Sequence, residues 1–438
     1  MSFPRYEAYK DSGVTWLGEM PAHWDAMPIK RLASLRSGET ITAESIEEEG
    51  NFPVYGGNGL RGYAGSFTHE GEYALIGRQG ALCGNVNYGT GKFWASEHAV
   101  VVSPTRPIAM KWLGEVLRTM NLNQYSVSAA QPGLSVEMVS KLGIPVPPHA
   151  EQRAIATFLD HETAKIDALI EEQKRLIGLL KEKRQAVISH AVTKGLNPDA
   201  PMKDSRVEWL GEVPAHWRVG RCGFHISVLS GFAFPSTGFT QDESATRLLR
   251  GINVGVSRLK WEEVAYWQRV DGDGLDIYEL KEGALVIGMD RPLIADGVRV
   301  AKVTATDVPC LLLQRVASIE TRSSLNSDYL RCLLSSDLFV AHFHPETTGV
   351  SVPHISPEQI GRFVIPVPPV EEQEAVARFV QQTVERFEAL TAGATTAVDL
   401  LQERRTALIS AAVTGKIDLR GVAATRQSTT EAVACAME

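Results

Sequence analysis

Apolar residues return at every seventh position in two stretches of this chain. In the first the stripe runs Leu159, Ile166, Gln173, Leu180 and Val187, with Ile155, Leu169 and Leu176 beside it. In the second it runs Val380, Phe387, Ala394, Leu401 and Leu408. Glu, Lys and Arg fill the faces between, which is the pattern of coiled-coil helices. Both seams weaken at the same midpoint, Gln173 and Ala394. About 40 residues at 1.5 Å each makes a rod roughly 60 Å long. The same peptide introduces both rods: Ile144-Pro-Val-Pro-Pro-His-Ala-Glu-Gln152 and Ile365-Pro-Val-Pro-Pro-Val-Glu-Glu-Gln373 agree at seven of nine positions. Proline lacks an amide hydrogen and biases the residue before it away from helix. Each copy therefore reads as a strand end, a rigid elbow and a helix, with the helices ending near His190 and Ala411. A single helix of this kind would be read as packing on a globular core; two matched ones favour a pair packed on each other.

A second repeat precedes each of the stretches between. Val14-Thr-Trp-Leu-Gly-Glu-Met-Pro-Ala-His-Trp24 returns as Val207-Glu-Trp-Leu-Gly-Glu-Val-Pro-Ala-His-Trp217, nine of eleven identical. The offset is 193 here and 221 at the elbow, so the second unit carries 28 more residues between its signatures. Trp16 and Trp24 read as aromatic anchors packing a domain edge. The plan is signature, variable domain, elbow and rod, twice over: 1–143, then 144–200, 201–364 and 365–418, followed by a tail, 419–438, expected to be disordered for want of apolar periodicity. Between the variable regions, 25–143 and 218–364, little matches beyond Ser37-Gly38 and Ser230-Gly231. In the first, Gly56–Gly62 reads as a turn, with short strands at 73–76, 86–88, 92–95 and 99–102 and a helix over 110–120. In the second, strands are expected at 248–254, 284–288, 298–303 and 311–316, then a helix over 328–335. The fold class is α+β, with strands forming twisted sheets or a partial barrel.

Composition narrows the function. The 438 residues carry a net charge of −8 and are 44% hydrophobic, with no apolar run near the roughly 20 residues that a membrane span needs. The N-terminus has no signal-peptide core, so a cytoplasmic protein is expected. Five cysteines, Cys83, Cys222, Cys310, Cys332 and Cys435, form no C-x-x-C pair, which suits reduced thiols and gives no zinc site. The acidic balance counts against nucleic-acid binding except through a local patch.

Catalytic motifs fail one by one. Gly57-Asn-Gly-Leu-Arg-Gly62 fits G-x-G-x-x-G, yet Tyr63-Ala-Gly-Ser-Phe after it is no helix start for a pyrophosphate. Gly89-Thr-Gly-Lys92 lacks the first glycine of a P-loop. His342, His344 and His354 have no carboxylate or cysteine at a supporting spacing. There is no G-x-S-x-G, no H-E-x-x-H, and no Asp/Asn-Pro-Pro-aromatic peptide of the amino-methyltransferases. The chain reads as a binder. Asn58, Arg61, Tyr63, Arg78, Gln79 and Lys92 lie near glycines, where backbone can approach a partner. The second variable region has 12 Arg to 3 Lys between Trp217 and Val364, among them Arg250, Arg258, Arg291 and Arg299, with Asn253 nearby. Arg, Asn and Gln carry the donor and acceptor pairs that match guanine and adenine edges. Taken singly, each arginine reads better as a surface salt-bridge partner; as a set they fit recognition loops.

Taken in order, these fragments resemble the specificity subunit of type I restriction-modification systems. The residues that carry the likeness are both Trp-Leu-Gly-Glu-x-Pro-x-x-Trp copies, the Pro53–Tyr63 run, Ile76-Gly-Arg-Gln-Gly-Ala81, Trp94-Ala-Ser-Glu-His98 and both elbows. The resemblance implies two target-recognition domains, each reading half of a split site in double-stranded DNA. It implies that the two long helices bundle antiparallel, with an internal pseudo-two-fold repeat and the seam Leu159, Ile166, Leu180, Val187, Val380, Phe387, Leu401 and Leu408. It also implies two modification subunits and restriction subunits as partners, which would bind the S-adenosylmethionine, ATP and Mg; this chain would bind no cofactor. Base-reading residues vary with target in such proteins, so the candidates above rest on position and side-chain type. The rods would act as a ruler for the gap between half-sites. Two other readings stay open on the residues alone: a coiled-coil adaptor, and a nucleotide-dependent enzyme using the Gly57 loop.

Overall fold

The computed structural model describes residues 3–80, 82–126, 133–294, 297–347 and 354–421, without the side chains of 344–347. The principal elements are β1 (Asp25–Pro28), β2 (Ala33–Ser37), β3 (Phe52–Gly56), β4 (Gly59–Ala64), β5 (His69–Gly77), β6 (Val86–Ala95), β7 (Ala99–Pro104), α1 (Met110–Thr119), α2 (Val136–Lys141), β8 (Gly143–Val146) and α3 (His149–Lys194). They continue with β9 (Arg218–Arg221), β10 (Ile226–Ser230), β11 (Thr246–Leu249), β12 (Tyr266–Trp267), β13 (Leu285–Gly288), β14 (Val300–Lys302), β15 (Cys310–Leu312), β16 (Val316–Thr321), α4 (Ser327–Leu334), α5 (Asp337–Thr347), α6 (Pro357–Arg362), β17 (Val364–Val367) and α7 (Val370–Val413). By contacts the chain divides into two units, 1–174 with 395–438, and 175–394. This partition differs from the run of sequence segments because each unit takes half of α3 and half of α7.

In the first unit six strands form one sheet in the order β2-β7-β5-β6-β3-β4. Neighbours are antiparallel except β3 and β6, where Tyr55 lies opposite Ala95 in a parallel pair. The sequence splits β6 into two short strands around Gly89-Thr-Gly, but the ladder to β5 runs unbroken from Val86 to Phe93. Strand periodicity decides what each face meets. Ala74, Ile76, Val100 and Val102 point at Trp112, Leu113, Val116 and Leu117 of α1, while Leu75, Phe93 and Val101 pack on the other face. The same core takes in Ile155, Phe158 and Leu159 of α3 with Ile409, Ala412 and Val413 of α7. Further along, Ile166 and Ile170 share a cluster with Val398, and Arg405 forks onto Asp167 at 2.7 and 3.2 Å. The facing residues of α7 fall in number as those of α3 rise, so these segments run antiparallel.

The second unit repeats the core with different residues. Its main sheet has the order β10-β16-β13-β14, and a smaller one β12-β11-β15, with β11 and β15 parallel. The apolar sides of Leu285, Ile287, Ala317 and Ile319 meet Tyr329, Leu330, Leu333 and Leu334 of α4. Ile188, Ala191 and Val192 of α3 share that core with Val376, Ala377 and Val380 of α7. Among the seam residues Leu159, Ile166 and Val380 are buried, and Leu180, Val187, Phe387, Leu401 and Leu408 are half-buried. Leu169 and Leu176, expected beside the stripe, are exposed.

The two repeated peptides of each unit meet as a clasp. β1 pairs with β8 and β9 with β17, both antiparallel. The elbow prolines end the second strand of each pair, and the helix begins at His149 or Val370. Trp24 donates its indole N–H to Glu151 at 2.9 Å, and His23 lies 2.7 Å from the same carboxylate. Trp217 and His216 do the same to Glu372 at 2.8 and 2.7 Å. Gln152 and Gln373 each turn back onto their own elbow, donating to the carbonyls of Pro147 and Pro368. Both Trp24 and Trp217 are fully buried, so the signature tryptophans pack a domain edge and also carry a hydrogen bond. Leu419 is buried and Asp418 donates its N–H to the Pro4 carbonyl at 2.8 Å. The tail expected from 419 therefore starts later; from 422 on it lies outside the described residues.

Candidate nucleic-acid interface

At one end of each main sheet the backbone is fixed by the same hydrogen bonds. In the first unit Arg78 N–H donates to the His98 carbonyl, Leu134 N–H to the Arg78 carbonyl and Gly77 N–H to the Asn85 carbonyl. In the second unit Met289 donates to Arg315, Ile355 to Met289 and Gly288 to Arg299 in the same way. Gln79 bridges to Gly133 where Asp290 bridges to His354. The Ser-Gly pair noted in the sequence sits here too: a Cβ on Gly38 would lie 2.1 Å from the Ala95 carbonyl oxygen, and one on Gly231 2.2 Å from that of Leu313. Only glycine lets the chains approach so closely. One backbone frame thus presents unlike side chains, with Gln79, Asn85 and His98 in the first unit where the second has Asp290, Arg299 and Arg315.

Around the first frame the structure gathers Asn58, Arg78 and Gln79 from the sequence candidates. The Gly57 turn packs against Gly77 and Gln79, and Asn85 Nδ2 donates to Asn58 Oδ1 at 3.0 Å. Arg78 reaches Ser37 Oγ at 3.1 Å. Asn85, Asn87 and His98 also belong to this end, in the turns after β5 and β6 or at the start of β6, positions that a single sequence does not reveal. Asn58, Gln79 and Asn85 are exposed amides able to pair a donor and an acceptor with a base edge. Arg61 and Tyr63, expected on a turn, lie on β4; Arg61 is exposed, and Tyr63 exchanges backbone hydrogen bonds with Glu47. That strand after Gly57 also removes the helix start a dinucleotide would need. Lys92 stands opposite Glu70, over the Phe67 ring at 4.8 Å. It lies back along β6 from the Gly57 end, so it is not brought together with Asn58 and Gln79.

In the second unit Arg291 is exposed on the frame, and Arg315, unremarked in the sequence, joins it. Both hold left-handed backbone, φ 44° and 68°, where a side chain is strained. Asp290 accepts from Arg315 and from His354 Nδ1. Burial would raise the Asp290 carboxyl, but these bonds outweigh it and hold it below the usual carboxylate range. Its tether is therefore complete at neutral pH and is lost as acid carries the pH below that range. Three candidates need correction. Asn253 is buried, with Nδ2 donating to the Lys260 and Glu263 carbonyls and Oδ1 accepting from Arg250 N–H. Arg250 donates to the Glu263 carbonyl. Arg299 donates to the carbonyls of Val254 and Asp290, and burial lowers its affinity for a proton. These groups brace loops and have little left to offer a base. Arg258 is exposed but lies elsewhere in the unit.

Among the described residues no cluster of His, Cys, Asp and Glu could hold a metal ion, and no helix is long and apolar enough to cross a membrane. His354 is occupied by Asp290, and His342 packs between aromatic rings.

Comparison with known proteins bears on this arrangement. The family described as "Type I restriction modification DNA specificity domain" matches residues 21–177. The type I restriction enzyme EcoprrI specificity subunit of Escherichia coli is 42% identical over 160 residues, 36% of this chain and 40% of that protein. The type I restriction enzyme MjaVIII specificity subunit of Methanocaldococcus jannaschii is 28% identical over 250 residues, 56% of each. The matched part of the chain thus spans about two fifths of one relative's length and just over half of the other's. A chain solved in work on complex assembly and conformational transition of the type I R-M system superposes with a TM-score of 0.68, covering 90% of this chain and 98% of that one. At 15% identity that likeness speaks to fold alone.

Proposed function

We propose that this chain is a specificity subunit of a type I restriction-modification system, which reads an asymmetric, interrupted site in double-stranded DNA and positions modification and restriction subunits on it. The observation that carries this reading is the shared frame at the two sheet ends. The same backbone holds amides in one unit and arginines with a carboxylate in the other, which suits two readers of different half-sites. Asn58, Gln79 and Asn85 would face bases in one half, and Arg291 and Arg315 in the other, since amides suit adenine and guanidinium suits guanine. Methyl transfer to adenine and ATP-driven cleavage belong, in this reading, to partner subunits that bind S-adenosylmethionine, ATP and Mg. The internal repeat offers two like seats, hence two modification subunits. The heptad residues of α3 and α7 would form the coiled-coil stem common to both repeats.

The test is methylation-aware sequencing of a host that carries this chain with its modification partner, alongside selection of bound sequences from random duplexes. One interrupted asymmetric motif is expected in both. Binding with no preferred sequence and no modified motif would overturn the reading.

A further inference from the structure

The second unit contains a cleft of about 610 Å³ away from the frame that faces bases. Its cations are Lys181 and Arg184 of α3, Arg258 and Lys260 of the loop after β11, Lys302 of β14 and Arg331 of α4. Asp328 and Glu388 are the carboxylates among the lining residues, so positive charge prevails there in a chain of net charge −8. Lys302 is paired to Leu285, at the opposite end of β13 from Gly288 and the frame.

Protein partners satisfy only part of this charge. Lys302 sits 2.9 and 3.0 Å from the Asp328 oxygens, and Arg331 reaches Gln381 at 2.5 Å. Arg258 and Lys260 are exposed and, among the described residues, their side chains form no hydrogen bond or ion pair. Arg184 has its Nε buried without a hydrogen-bond partner among those residues. The loop that carries Arg258 and Lys260 is also held in place. Ser257 N–H donates to Val300, Lys260 N–H to the Asn253 carbonyl, and Gly255 N–H to the Arg258 carbonyl. The arginine and asparagine that proved unfit to read bases, Arg299 and Asn253, are the side chains that brace this loop.

We propose that the cleft seats the phosphodiester backbone of DNA, without regard to base sequence, beside the half-site that the second unit reads. The inference rests on the DNA-reading function proposed above. Among the described residues no Trp, Tyr or Phe lines the cleft, so they offer no platform on which a base could stack. Guanidinium and ammonium groups together suit phosphate oxygens, which position a protein on a duplex and carry no base identity.

The full chain carrying Arg258→Gln and Lys260→Gln, assembled with its modification partner, tests this. Dissociation constants for the preferred duplex and for an unrelated one would be measured from 50 to 200 mM salt. Both should weaken by the same factor, with the salt slope falling by about 1–2, since each phosphate contact contributes roughly 0.9, and with the modified motif unchanged. Arg184→Gln, on the α3 side of the cleft, should act in the same direction. Unaltered affinity and slope in all these variants would overturn the proposal. So would a loss confined to one base position, or a loss of partner assembly with the salt slope intact, which would assign the cleft to base reading or to an acidic protein surface. A wild-type protein with no sequence preference would defeat the functional reading instead, and the variants' slope would still judge the cleft.

Discussion

Glu151 and Glu372 occupy matching places, yet their surroundings differ in a way that predicts unequal consequences. Glu151 accepts from Tyr6 as well as from Trp24, and its side chain is 12% exposed; Glu372 has no such third donor among the described residues and is 43% exposed. Glu151→Ala would strand the indole of a fully buried tryptophan and a largely buried hydroxyl, at a cost of about 1–3 kcal/mol. Glu372 is itself open to water and its loss strands the Trp217 indole without a buried hydroxyl beside it, so Glu372→Ala should cost less. Thermal unfolding of the two variants checks the order, and an equal or larger loss for Glu372→Ala would contradict it. Thiols give a second expectation at this scale. Burial pushes Cys222 and Cys310 up to about 12 and Cys332 up to about 11, which keeps them protonated at pH 8 and poorly nucleophilic. Mass spectrometry after alkylation should find these three unmodified in the native protein and labelled once it is denatured.

Among the elements, the close approach of β2 to the end of β6, and of β10 to the end of β15, rests on a glycine in each case. Gly38→Ala and Gly231→Ala would drive a Cβ into a backbone carbonyl, which cannot swing aside as a side chain can. Each should destabilise by about 1–3 kcal/mol and weaken recognition of one half-site only. Gly65→Ala, with nothing within 4 Å, is the control. The Ser-Gly pairs were visible in the sequence, but their meaning was not, because the neighbours they press against lie far along the chain. The elbows and long helices were readable because proline chemistry and a seven-residue period act locally. The shared sheet of the two variable regions was hidden for the opposite reason: it is written in backbone hydrogen bonds that Gln79 and Asp290, or His98 and Arg315, support equally well. The same blindness led to Asn253 and Arg299, since an arginine or asparagine beside glycine looks alike whether it braces a loop or faces solvent. Insertions added to the difficulty, with the long stretch after β11 replacing the short β3–β4 hairpin.

For the whole molecule, the proposed function would place one reader in each unit and make specificity modular. Replacing residues 25–143 with the corresponding domain of a relative should change one half of the modified motif and leave the other half as it was. Methylation-aware sequencing reads both halves at once, and a change in both would contradict independent reading. The clasps make such an exchange feasible, because the repeated peptides on either side of the domain are the ones that close it.

The first unit is also assembled from distant parts of the chain. Gly415 lies against Pro21 and Trp24, and Asp418 is bonded to Pro4, whereas the second unit draws on 175–394 alone. On the ribosome, therefore, the half that emerges first must wait with part of its core open until the last helix arrives, while the later half can close from a continuous stretch of nascent polypeptide. Vectorial synthesis would reverse the usual order in which domains mature, and the exposed Trp24 neighbourhood would be the natural place for a chaperone to hold.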